Sequence, residues 1–129
     1  MGMIMADFTP EELGEAHRAI LSLRNKSEKA SGKLKEGSWQ KTLLDSYVKA
    51  ADTALKLIDG DMAMPFECEA LNEANKSLED ALHRAEEVIG RFVAGSSQHT
   101  LQTNRIVALK IALTMIEKEQ RLCKDANCR

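Results

Sequence analysis

The sequence predicts an all-α fold in which residues 1–129 form a single domain, an antiparallel up-down-up-down four-helix bundle made of two helical hairpins. Residues 11–59 align without gaps on residues 69–117, with fifteen identities in forty-nine pairs, which indicates an internal duplication. Each copy contains a Gly-Ser pair, beginning at Gly37 and at Gly95. Hydrophobic residues make up 43% of the chain but only five are aromatic, a composition that favours helices over sheets.

The first helix is predicted to begin at Pro10. Thr9 is a typical N-cap residue, proline suits the first helical position, and Glu12 can complete a capping box. Apolar residues then recur every three or four positions, as on one face of a helix. The second copy keeps this apolar pattern beyond Gly90, so the first helix is predicted to continue to about Glu36.

The duplicated Gly-Ser pair predicts the end of one helix and the start of the next. Gly37 and Gly95 are expected to have positive φ and to end the first and third helices. Ser38 and Ser96 are expected to cap the helices that follow. A connection this short places the two helices of each hairpin antiparallel. Capping accounts for the motif without a catalytic role for the loop.

The remaining helices follow from the same apolar spacing. The second is predicted over residues 39–58, the third from Pro65 to Gly95, and the fourth from Ser96 to near Cys123. Each hairpin is apolar on one side only. The two hairpins are therefore expected to bury these sides against each other about a pseudo-two-fold axis.

Charge and cysteine content argue against several classes of protein. The net charge of -2 gives no overall attraction to nucleic acid. Cys68, Cys123 and Cys128 form an odd set without a C-x-x-C pair, which is typical of reduced thiols in a cytoplasmic protein. The chain has no apolar run long enough to span a bilayer. We therefore expect a cytoplasmic protein without a membrane partner.

Candidates for catalysis or metal binding are few. Four-helix bundles hold metals with E-x-x-H pairs on facing helices, and only Asp80 and His83 have a related spacing. No histidine is repeated in the other copy, and none is paired with a serine or cysteine at a spacing typical of a nucleophile. The sequence therefore predicts a protein that is not an enzyme and has no catalytic, metal-binding or cofactor-binding residues.

One basic segment surrounds the first predicted loop. Between residues 24 and 41, six cations stand against two acids, with Trp39 nearby. A basic helix end with an aromatic residue can bind phosphates, although such segments are more often solvated faces. The possible basic patch comprises Arg24, Lys26, Lys29, Lys33, Lys35 and Lys41.

The fourth helix carries a second apolar stripe on nearly the opposite side from its core stripe. In the first copy the matching positions are mostly polar. The helix is either more enclosed than the others, or it presents an exposed patch that binds a partner; we favour the patch because a bundle helix normally keeps an outward face. The predicted interaction patch comprises Val107, Ile111, Met115 and Leu122.

The pattern G-S-x-Q-[KH]-T-L, found at residues 37–43 and 95–101 and followed by an alanine-rich helix, resembles short helical-hairpin proteins of Gram-positive bacteria that have no assigned function. The resemblance covers both hairpins and implies a tandem version of that unit. It assigns no functional residues. The leading interpretation is a non-enzymatic protein–protein interaction module that forms a homodimer or binds a helical partner. The alternative is a nucleic-acid-associated accessory protein that uses the basic end of the first helix.

Overall fold

The protein is an all-α four-helix bundle, as the sequence predicts. The computed structural model describes residues 8–60 and 66–127, with side chains to Cys123, and this part of the chain contains no strand. None of its helices is long and apolar enough to cross a membrane. The helices are α1 (Pro10–Ser31), α2 (Trp39–Asp59), α3 (Cys68–Ile89) and α4 (Ser97–Asn127).

The helices of each hairpin run antiparallel. Along α1, the residues His17, Arg24 and Ser31 meet Asp59, Asp52 and Asp45 of α2 in turn. The residue numbers rise on one helix while they fall on the other. This order is possible only for antiparallel neighbours, and it fits the short loops that join them.

The four helices do not contribute equally to the centre of the bundle. Each of α1 and α3 packs against both α2 and α4, and α2 also contacts α4 across the bundle, whereas no such contact joins α1 to α3 in the described residues. The helices α2 and α4 therefore each have three neighbours. A helix with three neighbours buries a wider arc of its surface than a helix with two, and this arrangement positions the sites described below.

The core is aliphatic and rich in alanine. Ala50, Ala51 and Ala54 on α2 are buried, as are Ala108 and Ala112 on α4. Small side chains let helix backbones approach closely, and larger aliphatic side chains fill the space between them. The largest side chains with almost no exposed surface are Ile20, Leu71, Leu78, Leu109 and Ile116.

The start of α1 forms as its sequence predicts. The backbone N–H of Glu12 donates to Thr9 Oγ1 at 3.0 Å, and the backbone N–H of Thr9 donates to Glu12 Oε1 at 2.8 Å. This reciprocal pair is a complete capping box, and Pro10 occupies the first turn. The box satisfies two backbone donors that would otherwise lack partners.

The predicted ends of the first and third helices are wrong. The helix α1 ends at Ser31 and α3 at Ile89, and seven-residue loops follow both. Leu34 and Val93, which continue the apolar pattern, are exposed in these loops. Glycine is a poor helix former, and with no core surface for these side chains to cover, the helix does not continue past Gly32 or Gly90.

The positive φ predicted for two loop glycines is confirmed, although their place in the loop differs from the prediction. Gly37 has φ 85° and Gly95 has φ 88°. Each is the third residue of a turn closed by a backbone hydrogen bond, from Ser38 N to Lys35 O at 3.1 Å in the first loop. Glycine is favoured at this position of a type II turn. The glycines therefore prepare the next helix and do not end the preceding one.

The two serines that follow these glycines cap α2 and α4 as predicted. Ser38 Oγ accepts the backbone N–H of Lys41 at 3.3 Å, and Ser96 Oγ accepts that of His99 at 3.2 Å. The start of α3 at Cys68 and of α4 at Ser97 each lie 58 residues after the starts of α1 and α2. The two hairpins thus place their helix starts in the same register.

Two further helix limits differ from the sequence predictions. The helix α3 begins at Cys68, and Pro65, which was expected to open it, lies outside the described residues. The helix α4 extends past Cys123 to Asn127. Gly60, at the end of α2, has φ 74°. This is the left-handed helix-ending conformation that was predicted for Gly37 and Gly95.

The prediction of reduced cysteines is wrong for two of the three. Cys68 and Cys123 form a disulfide with their Cα atoms 5.8 Å apart. The bond joins the first residue of α3 to the C-terminal part of α4, which lie side by side because these helices are antiparallel. The two residues are 55 positions apart in the sequence, so their spacing gives no sign of the pairing. Cys128 lies outside the described residues.

Replacing Gly37 or Gly95 by alanine is expected to lower the free energy of unfolding by about 1 kcal/mol, because an L-residue is strained in the left-handed region. A Cβ at either position would meet nothing within 4 Å, so backbone strain alone sets the cost. Gly90→Ala is the matched control: its φ is -67°, and it should be neutral or stabilising. Urea denaturation followed by circular dichroism measures all three; equal stabilities would contradict the prediction.

Candidate functional site

The structure does not gather the six cations of the basic segment into one patch. Arg24 Nε donates to Asp52 Oδ1 at 2.9 Å, and its Nη1 donates to Glu28 Oε1 at 2.8 Å. The hydrogen bond to Asp52, followed by that to Glu28, raises the pKa of Arg24. Arg24 therefore links α1 to α2. Its Nε and Nη1 already donate to carboxylates, so fewer donors remain for an external phosphate.

Lys41 is also engaged within the first hairpin. Its Nζ donates to Ser31 Oγ at 2.9 Å and lies 3.6 Å from Asp45 Oδ2. Ser31 Oγ donates in turn to Asp45, and this hydrogen bond is the main cause of the lowered pKa of that carboxyl. This network ties the end of α1 to the start of α2 and explains how a buried serine is accommodated there.

The other four cations of the segment are exposed. Lys26 and Lys29 lie on α1, and Lys33 and Lys35 lie in the loop after it; none of their ammonium groups has a hydrogen bond or ion pair with the described residues. Trp39, at the start of α2, is 67% exposed. The basic segment is therefore a mostly solvated end of the bundle with four free lysines.

The predicted apolar patch on α4 is only partly exposed. Val107 and Leu122 are 52% and 60% exposed, but Ile111 is 6% exposed and belongs to the core. Met115 is half-buried and packs against the same core. The interpretation of Ile111 as an outward residue is wrong because α4 contacts α1, α2 and α3. The alternative, a more enclosed fourth helix, holds for Ile111 and Met115.

A surface groove lies between α1 and α4, with a volume of about 380 Å³. We call it the α1–α4 groove. Alanines form its base, including Ala16 and Ala108, which are nearly inaccessible. Leu101 and Val107 of α4 line it with exposed apolar surface, and the buried Ile111 lies beneath them. Small residues on both facing helices leave this depression, since no side chain is large enough to fill it.

Charged side chains of α1 border the groove in a graded order. Glu12 and Glu15 line it near the start of α1, and Arg18 lines it one turn later. Lys26 and Lys29 follow 11 and 14 residues after Glu15 and so share its side of the helix. All five side chains are exposed. The groove is thus acidic at the start of α1, and the exposed cations Lys26 and Lys29 lie on α1 beyond the last groove-lining residue, Ser22.

A polar network connects α2 to α3 on another side of the bundle. The Tyr47 hydroxyl donates to Asp80, and Arg84 Nε donates to the same carboxylate at 2.9 Å. The bond from Tyr47, and after it the bond from Arg84, lowers the pKa of Asp80, whereas burial raises the pKa of Tyr47. The stability that the network contributes is present above the ordinary carboxyl pKa and is lost as the pH falls through the lowered one.

Asp80 and His83, which have a spacing related to that of metal-binding pairs, bond to different partners. Asp80 is held by Tyr47 and Arg84, while His83 Nε2 lies 3.3 Å from Glu87 Oε2. Within the described residues, no group of three or more histidine, cysteine, aspartate or glutamate side chains could hold a metal ion.

The α1–α4 groove was not predicted from the sequence, although Val107 was identified. The missing information is that α1 lies beside α4, which no local pattern of either helix specifies. The alanines that form its base are visible in the sequence, but alanines occur throughout the core. Comparison with protein-family models, with curated proteins and with solved structures finds no match to this chain. No function therefore passes to it from a relative, and the resemblance to Gram-positive helical-hairpin proteins stays a prediction.

Proposed function

We propose that the protein is a non-enzymatic interaction module that binds a second copy of itself through the α1–α4 groove. The observation that carries the proposal is exposed apolar surface, from Leu101 and Val107, beside a depression with an alanine base. Helical partners commonly dock in such grooves with their apolar face. The proposed interface therefore differs from the predicted patch. It includes Val107, whereas Ile111 and Met115 pack in or against the core, and Leu122 does not line the groove.

The charge order along α1 favours a second copy as the occupant. In a two-fold dimer the same surface meets itself. If the two-fold axis is perpendicular to the helices, the two α1 helices run antiparallel across the interface. The acidic end at Glu12 and Glu15 of one copy then faces the basic end at Lys26 and Lys29 of the other. Opposite charges would meet at both ends of the interface, which fixes the orientation of the dimer.

The expected dimer is weak. Full burial of a valine or leucine side chain contributes about 1.5–3 kcal/mol, so covering the partly exposed Leu101 and Val107 of both copies gives roughly 3–6 kcal/mol. Association costs at least about 4 kcal/mol in lost translational and rotational freedom. Because the gain from apolar burial and the cost of association are similar, the attraction between opposite charges determines whether the dimer forms. Salt screens this attraction, so dimerisation is expected to weaken as the salt concentration rises.

Val107→Lys is expected to yield a folded monomer, since it places two like charges near the two-fold axis without touching the core. Sedimentation velocity up to about 1 mM protein, at low and high salt, measures the dimer fraction. The matched control is Val93→Lys, which changes a 77% exposed valine in the second loop and should dimerise like the wild type. A monomeric wild type at low salt, or equal loss in both variants, would contradict the proposal.

The nucleic-acid alternative is supported by the four free lysines and the exposed Trp39 at the loop end of the bundle. It is weakened because Arg24 and Lys41 are bound within the first hairpin. A fluorescence titration with DNA and RNA at two salt concentrations separates the two functions. Binding that falls steeply with salt would favour the alternative, and no binding at low salt would exclude it.

The disulfide also bears on where the protein works. Disulfides persist in oxidising environments and are rare in the cytosol of mesophiles. The bond between Cys68 and Cys123 therefore favours an oxidising compartment over the cytoplasm that the cysteine pattern predicts.

A further inference from the structure

Arg105 of α4 has a buried nitrogen without a partner. Its Nε has no hydrogen-bond partner among the described residues, and burial alone lowers the pKa of its guanidinium, with no carboxylate acting in the opposite direction. Leaving a cationic donor desolvated and unpaired is costly. The terminal nitrogens of Arg105 are not among the buried unpartnered atoms, so an anion outside the described chain can pair with them and offset the charge of the guanidinium.

A pocket of about 150 Å³ adjoins this side chain. Its polar lining comes from Tyr47, Arg84 and Arg105, together with Gln102 one turn before Arg105 on the same helix. Its apolar lining includes Leu23, Ala81 and Val88. We call it the arginine pocket. It lies among residues other than those of the α1–α4 groove, so an occupant of one does not fill the other.

The arginine pocket has an excess of positive charge. Arg84 shares the carboxylate of Asp80, which also accepts from the Tyr47 hydroxyl. Asp80 therefore offsets the charge of Arg84, and no ion pair with a described residue offsets that of Arg105. One uncompensated guanidinium therefore lines a space whose lining also includes the apolar Leu23, Ala81 and Val88.

We propose that the arginine pocket binds a small carboxylic acid with an apolar body, whose carboxylate accepts from Arg105 and Gln102. The planar fork of a guanidinium matches a carboxylate in a bidentate pair. The volume of about 150 Å³ is below the roughly 300–1,000 Å³ of sites for drug-sized ligands, which suits a small acid. The apolar wall favours a hydrocarbon body over a phosphate, which is polar on every side.

Isothermal titration of the full-length protein with benzoate and butyrate tests the proposal, with inorganic phosphate as the competing probe. Saturable binding of at least one of the two acids, tighter than that of phosphate, is expected. Arg105→Met should weaken it by about tenfold or more, because the variant loses the charge-assisted hydrogen bonds of the guanidinium. Arg105→Lys should retain part of the affinity, and Arg91→Met, at an exposed arginine outside the pocket, should bind like the wild type.

Thermal unfolding provides a second readout that a purely structural role of Arg105 would not give. Without acid, Arg105→Met should be at least as stable as the wild type, since a desolvated cation is removed. With acid, the melting temperature should rise in the wild type but not in the variant. Gln102→Leu, which keeps Arg105, is the second variant and should weaken binding about threefold.

Three outcomes would overturn the inference. They are the absence of saturable binding of either acid up to about 10 mM, equal affinity of the wild type and Arg105→Met, and tighter binding of phosphate than of both acids. Loss of dimerisation in Val107→Lys with unchanged acid binding would show that the pocket and the groove act independently.

Discussion

Replacing Ile111 by lysine is expected to lower the free energy of unfolding by about 4 kcal/mol or more, because it places an unpaired charge in the core. Ile111 is 6% exposed and belongs to the core cluster, which contains no acidic residue. Glu12 and Glu15 line the α1–α4 groove outside that cluster. Val107→Lys, four residues earlier on α4, is the matched control. Val107 is half-exposed, so its substitution should change stability by less than about 1 kcal/mol.

Urea denaturation of the two variants, followed by circular dichroism at a concentration where the wild type is monomeric, measures this difference. The contrast tests whether α4 is enclosed by α1, α2 and α3. If Ile111→Lys proved as stable as Val107→Lys, Ile111 would face solvent and the position of α1 beside α4 would be wrong.

Breaking the disulfide between Cys68 and Cys123 is expected to lower the free energy of unfolding by about 4 kcal/mol. The bond closes a loop of 55 residues, and the chain-entropy relation assigns roughly this stabilisation to a loop of that length. The effect should appear as a lower urea midpoint when the wild-type protein is reduced.

The double variant Cys68→Ser with Cys123→Ser provides the control. It should be as unstable as the reduced wild type, and adding reductant should not change it further. A reduced wild type with unchanged stability, or free-thiol titration that finds both cysteines reduced in protein purified without reductant, would contradict the bond.

Features that depend on a few neighbouring residues were predictable from the sequence. The capping box of Thr9 and Glu12 and the serine cap at Ser38 need only local contacts, so the residue types alone indicate them. The positive φ of Gly37 and Gly95 was predicted for the same reason. The all-α class follows from apolar spacing, which reports how each helix presents one side to a core.

Features that depend on which helices touch were not predictable. The second apolar stripe of α4 is consistent with an exposed patch and with an enclosed helix. Only the contacts of α4 with α1 and α2 show that Ile111 is buried. The disulfide joins positions 55 residues apart. The end of α1 was misplaced because Leu34 continues the helical spacing without a surface to cover.

The two candidate sites were also not predictable from the sequence, because each depends on which helices touch. The α1–α4 groove combines side chains from the first and last helices, and the arginine pocket includes Leu23 of α1 beside residues of α3 and α4. Neither set of residues forms a recognisable pattern in the sequence, because its members come from helices far apart in the chain. An unpaired nitrogen of Arg105 can be recognised only once its surroundings are known.

The most direct test of self-association through the α1–α4 groove is a dilution series of amide NMR spectra. Signals of residues that line the groove, such as Ser22, Leu101 and Val107, are expected to shift with protein concentration. Signals of Lys49 and Ser77, on the side where α2 meets α3, are expected to stay constant. Spectra independent of concentration, or shifts centred on the α2–α3 side, would contradict the proposed interface.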